Sequence, residues 1–165
     1  MSFFRILLCL SIFMAAPGLQ SSRLPEIGPK DVTAKVHEIM RAHVEHKKMT
    51  PLIMRRTVER FLAELDPSKT YFIRDDIADW LDLDDKKVDT LVAQFEESNF
   101  TAFQSLFDRM QTAIQRRDTF EKELATAELP KDVRAKEFKD LEWCISVEAL
   151  RERLLRIRAL QKEAV

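Results

Sequence analysis

Glycine is nearly missing from this chain: 165 residues contain two, Gly18 and Gly28. Tight β-hairpins, phosphate-cradling loops and dinucleotide-binding turns all use glycine, for positive φ or for close backbone approach. The near absence of glycine argues for all-helical structure and against any Gly-rich nucleotide or catalytic loop. Apolar residues make up 45% and charged residues 33%, a globular rather than a disordered balance. The expected fold is all-α, an irregular bundle of about five to six helices in one domain.

The stretch from Thr50 to Phe72, TPLIMRRTVERFLAELDPSKTYF, organises the rest. Thr50 suits an N-cap, and Pro51 suits the first helical position, where a missing N–H costs nothing. Met54, Val58, Phe61, Leu62 and Leu65 recur at steps of three and four and form one helical face. At Phe61 or Leu65, truncation to alanine is expected to cost about 2–5 kcal/mol. Pro67 pushes Asp66 out of the helical region, so Asp66-Pro67-Ser68-Lys69 reads as a turn. Tyr71 and Phe72 follow at once, two rings placed to fold back and seal the helix end.

Other helices follow from periodicity. One is expected from near Asp31, with Val32, Val36, Ile39, Met40 and Val44 inward. A short one spans about Asp75 to Leu81, with Ile77, Trp80 and Leu81 as contacts. Asp82 or Asp84 caps the next, whose inner face is Val88, Leu91, Val92 and Phe95. The longest starts at Ser98 or Asn99 and runs to about Leu129, carrying Phe100, Phe103, Phe107, Met110, Ile114, Phe120 and Leu124. Pro130 breaks that pattern. A last helix runs from about Phe138 to Gln161 with Val147, Leu150, Leu154 and Ile157 inward. Between Glu64 and Glu97 eleven acidic residues stand against four basic ones. The central glycine of a calcium loop is absent there, so the run reads as a solvated face or one that meets a basic surface. Arg151, Arg153, Arg156 and Arg158 are candidates for that surface.

The first eighteen residues differ in kind. Arg5 is their one charge, Ile6 to Ala16 is an apolar run, and Ala16-Pro17-Gly18 supplies small residues near a cut. This is the layout of a secretory signal peptide, too short for a stable span, with an uncleaved N-terminal anchor as the alternative. Residues 19–30 then form a linker and 31–165 the domain. Removing the signal leaves 26 basic against 28 acidic residues, a net charge of −2, which gives no footprint for nucleic acid. Cys144 is the remaining thiol and is expected to be buried beside Trp143. His37, His43 and His46 lie close in sequence, but His37 points away from the other two on a helix and no cysteine pair joins them, so no metal is expected.

The string FLAELDPSKTYFIRDDIADW, Phe61 to Trp80, resembles a signature region of the tail-specific proteases, also called C-terminal processing peptidases. There a helix ends in Leu-Asp, a short turn leads to an aromatic pair, and an acidic stretch opens the next helix. SLFDRMQTAIQRRDTFEKEL followed by a polar break and EWCISVEALRERLLRIRAL is similar to the later part of the family's N-terminal helical domain, so the likeness covers roughly Thr33 to Leu160. The resemblance implies a periplasmic serine protease that trims C-terminal tails, using a Ser/Lys pair in a downstream protease domain and a PDZ-type domain that grips the substrate's end. No Gly-rich carboxylate-binding loop and no base, nucleophile and oxyanion constellation surrounds Ser68 and Lys69, so no catalytic residue carries over. What is expected is a non-catalytic N-terminal domain or fragment in the periplasm of a Gram-negative bacterium, inactive alone and without a cofactor. Its expected partners are the PDZ and protease domains and a protein substrate or adaptor, with membrane contact only through an uncleaved signal segment. Asp66, Tyr71, Phe72, Leu83, Phe100 and Leu155 are the candidates for partner or domain contact. The alternative is a stand-alone helical adaptor or chaperone-like protein of the cell envelope.

Overall fold

The structure, a computed structural model, describes residues 26–163. Among them six α-helices carry the fold: α1 (Pro29–Ala42), α2 (Pro51–Leu65), α3 (Ala78–Leu81), α4 (Asp85–Glu96), α5 (Thr101–Leu124) and α6 (Val147–Glu163). A 3-10 turn, Arg74–Ile77, runs into α3, and another, Ala135–Phe138, lies between α5 and α6. The β structure among the described residues is one isolated parallel bridge, Ile73 to Cys144. The fold is therefore all-α. No helix of the described residues is long and apolar enough to cross a membrane.

Caps set the helix starts. The Thr50 hydroxyl accepts from the Ile53 N–H at 3.3 Å, with Pro51 at the first position of α2. Of the two aspartates considered for α4, Asp84 is the cap and accepts from the Lys87 N–H at 2.7 Å. Each satisfies one of the amides that a helix N-terminus leaves free.

Two apolar cores lie side by side. The first joins Met54, Val58 and Leu62 of α2 to Phe72, Ile77 and Trp80, to Val88, Leu91 and Phe95 of α4, and to Leu106, Met110 and Ala113 of α5. The second joins Ile73, Phe120 and Leu124 of α5, Cys144, and Leu150 and Leu154 of α6. With 24 residues, and hence about 36 Å of axis, α5 belongs to both. Phe72 and Ile73 mark the boundary. Ile73 is extended (φ −99°, ψ 164°), and neighbouring side chains on extended backbone point to opposite sides. Phe72 thus enters the first core and Ile73 the second.

Several expectations shift. The expected signal peptide, residues 1–18, and most of the expected 19–30 linker lie outside the described residues, but Pro29 and Lys30 already belong to α1. The buried face of α1 is Thr33 and Met40, with Val36 half-buried; Val32, Ile39 and Val44 are exposed, and Val44 lies beyond the helix. Phe61 and Leu65 sit half-buried at the margin of the first core rather than inside it. On α5 the inward row is Leu106, Met110, Ala113, Phe120 and Leu124, while Phe107 is 44% exposed. The small Leu106 and Ala113, not the larger Phe107, keep the steps of three and four. α5 itself begins at Thr101 and ends at Leu124, with Phe100 as its cap residue. α6 starts at Val147 rather than near Phe138, because residues 139–146 are drawn into tertiary pairings with the turn after α2.

Candidate functional site

At the end of α2 the chain wraps around a single carboxylate. Asp66 is fully buried. Its Oδ1 accepts the Thr70 N–H at 2.9 Å, and its Oδ2 accepts the N–H groups of Tyr71 (3.2 Å) and Phe72 (3.0 Å) and the Trp143 indole N–H (3.2 Å). A buried charge survives only when hydrogen bonds replace its water, and this one has four donors. Lys69 takes a left-handed conformation (φ 51°) to complete the turn.

Arginines grip the same turn from outside. On α5, Arg117 donates to the Thr70 hydroxyl at 2.6 Å and lies 4.4 Å from the centroid of the Tyr71 ring. Arg116 forks onto Asp76 at 2.6 and 3.2 Å and also reaches the Tyr71 carbonyl at 2.7 Å. Arg109 forks onto Asp79 at 2.6 and 3.1 Å. From α6, Arg153 donates to the Lys69 carbonyl at 2.7 Å. Planar two-point pairing of this kind fixes orientation as well as charge. The acidic stretch does meet a basic surface, but that surface is α5. The α6 arginines expected to supply it pair elsewhere, Arg151 with Glu123 and Arg156 with Glu137, and Arg153 reaches only a carbonyl.

The turn holds its polar side chains in structural roles. The Ser68 hydroxyl lies 2.8 Å from that of Thr70. The Lys69 ammonium sits 4.9 Å above the Trp143 ring and 3.6 Å from Glu142. Serine and lysine therefore face different partners and form no nucleophile–base pair. Cys144 is buried as expected; burial pushes its thiol above the ordinary value, with Arg153 opposing and Asp66 adding to the shift. His37 meets Glu96 at 3.1 Å, while His43 and His46 stack with centroids 5.5 Å apart. Among the described residues no three histidine, cysteine or acidic side chains converge as metal ligands.

The six residues expected at a partner surface are spread over the two cores and their margins. Asp66 and Phe72 are enclosed by the chain itself, and Tyr71 is half-covered beneath Arg117. Leu83 and Leu155 are half-buried against the first and second cores respectively. Phe100 alone borders an open apolar space. That space is a trough of about 390 Å³ between α1, α2 and the α4–α5 corner, walled by Val36, Met40, Ile53, Phe61, Phe100 and Phe103. It continues into a second hollow of about 530 Å³ that shares Met40, Ile53 and Phe61 and is rimmed by His43, His46, Arg56 and Arg60. Sequence reading missed the trough because it assigned Phe61 and the α1 valines to a closed core.

Residues 35–162 match the family model for the tail specific protease N-terminal domain. No curated protein matches the chain.

Proposed function

Because the chain belongs to the tail-specific protease N-terminal domain family, we propose that it is the non-catalytic, protein-binding part of such a protease, exported to the periplasm. In this reading the domain supports the PDZ and protease domains and helps to hold a protein substrate or adaptor. The observation that carries it is the trough: an open wall of aliphatic, methionine and aromatic side chains, with Val32 exposed on its rim. Contiguous apolar surface of this kind marks places where other polypeptides bind. The separate engagement of Ser68 and Lys69 supports a role without bond cleavage.

The test pairs two assays on the purified chain. Incubated with a peptide that ends in apolar residues, it should leave the peptide intact over hours. Mixed with the separately expressed PDZ and protease segment of a family member, it should form a complex on a sizing column. Cleavage that co-purifies with the chain through several steps overturns the non-catalytic part. Failure to bind that segment or any unfolded protein overturns the binding part. For export, mass spectrometry of the chain from an envelope fraction should show loss of the first eighteen residues.

A further inference from the structure

α1 is fastened along one edge only. Its Thr33 hydroxyl reaches the Phe95 carbonyl at 3.4 Å, and His37 meets Glu96 at 3.1 Å and the Phe95 ring edge-on at 5.5 Å. On the other edge Val36 packs against the first core while Val32 is exposed, and the trough lies between these residues and α2. An open apolar groove of this size on the surface has room for side chains from another polypeptide.

Its dimensions and charge define the guest. Along α2 the trough runs from Ile53 to Phe61, about 12 Å of axis. That is two helical turns, the length over which an incoming helix presents apolar anchors at i, i+3 or i+4, and i+7. Beneath it lie the buried thioethers of Met40, Met49 and Met54, a polarizable floor. At the far end, Arg60 is paired with Glu64 at 2.5 Å. Arg56 is exposed and, among the described residues, makes no ion pair. Glu64 also lines this hollow but is held by Arg60, and His46 lies 3.9 Å from Glu45, so the unmatched positive charge next to the apolar floor is that of Arg56. A small polar ligand would find few fixed hydrogen-bonding groups in the apolar part.

Resting on the protein-binding reading above, we infer that the trough receives an amphipathic helix of a partner protein, its apolar stripe between α1 and α2 and its acidic end at Arg56.

The probe is a fluorescein-labelled designed helix of fifteen residues with leucines at i, i+3 and i+7 and two glutamates at one end. A second version carries lysines in place of the glutamates, and a third scrambles the leucines. Anisotropy titration of the full chain should show the glutamate probe binding at least tenfold more tightly than either control. Arg56→Glu should reverse the preference toward the lysine probe. Thr57→Trp, placed at an exposed position that borders both hollows, should fill the space and weaken the glutamate probe at least tenfold, with the helical circular dichroism unchanged. Equal affinity for acidic and basic probes, indifference to Arg56→Glu, or a self-associated dimer that occludes the trough would each overturn the inference. The two variants are also run on the sizing column with the PDZ and protease segment. Retained complex formation alongside unchanged probe selectivity in both variants sinks the trough assignment and leaves the domain's general role standing.

Discussion

The indole N–H of Trp143 donates to the carboxylate of Asp66 at 3.2 Å, across 77 residues of sequence. That bond joins the end of α2 to the segment that launches α6, and the three backbone amides on the same carboxylate shape the turn between them. One buried side chain thus decides where a helix stops, how the next strand-like stretch is presented and what the last third of the domain docks against. Asp66→Asn keeps the shape but turns one acceptor into a donor facing other donors. It should cost about 2–4 kcal/mol in urea titration. Trp143→Phe should cost about 1–2 kcal/mol, and the double variant less than the sum, because the two share one interaction.

Leu106 is fully buried and Phe107 is largely outward. Leu106→Ala should therefore lose about 2–5 kcal/mol of stability, as buried large-to-small changes do, and Phe107→Ala less than about 1 kcal/mol. Thermal or chemical unfolding of the pair separates the two faces of α5 directly.

Phe61 lies at the trough wall, edge-on to Phe103 with centroids 5.2 Å apart. Its truncation to alanine should cost about 1–3 kcal/mol, below the expectation for an enclosed phenylalanine, because one side of the ring already lacks partner atoms. The same variant should weaken an apolar helix probe more than it weakens the fold.

Burial raises the Cys144 thiol, which keeps it protonated at neutral pH. A thiolate-selective reagent at pH 7.5 should label the native chain far more slowly than the urea-unfolded chain. Equal rates would place Cys144 at the surface.

Burial pushes the Asp79 carboxyl up, but the Arg109 hydrogen bond and the charges of Lys87 and Arg109 outweigh it and hold the carboxyl below its ordinary 3.8. A depressed folded-state value adds stability above the unfolded value, and that stability is lost as pH falls through the folded value. The affected window therefore begins near pH 4 and extends downward. Asp79 is about half exposed, so solvent screening limits the contribution to well under about 1 kcal/mol. Arg109→Gln should flatten the acid limb of the stability profile below pH 4 and leave the profile at pH 6–8 parallel to the parent.

The regular parts of the chain were legible because their signals are local. Thr50-Pro51 and Asp84 start helices through amides only three residues away, and the α2 face repeats at the helical period. The breaks were harder. Residues 139–146 have the apolar content of a helix, yet Arg74 donates its N–H to the Cys144 carbonyl at 2.8 Å and Trp143 turns toward Asp66. Those partners are remote in sequence, and no periodicity reports them. On α5 the eye follows the large Phe107, whereas the inward row passes through Leu106, Ala113 and Arg117. An arginine on an inward row, opposite a stretch rich in aspartate, was a readable sign that α5 clasps the turn after α2. The trough was hidden for a different reason: amphipathicity shows which side of a helix is apolar, not whether a neighbour covers it.

The pairing of Ile73 with Cys144 has a consequence for synthesis. As the chain leaves the ribosome, α2 and its turn emerge long before the backbone that will meet Ile73 and the indole that will complete the Asp66 set. Until about residue 154 is out, Ile73 has no Leu150 or Leu154 to cover it, and the second half of α5 has no lid. A chain truncated near residue 130 should be digested readily by added protease in the second half of α5, whereas one that runs past residue 160 should resist there, so that completion of the second core is a late event governed by the final helix.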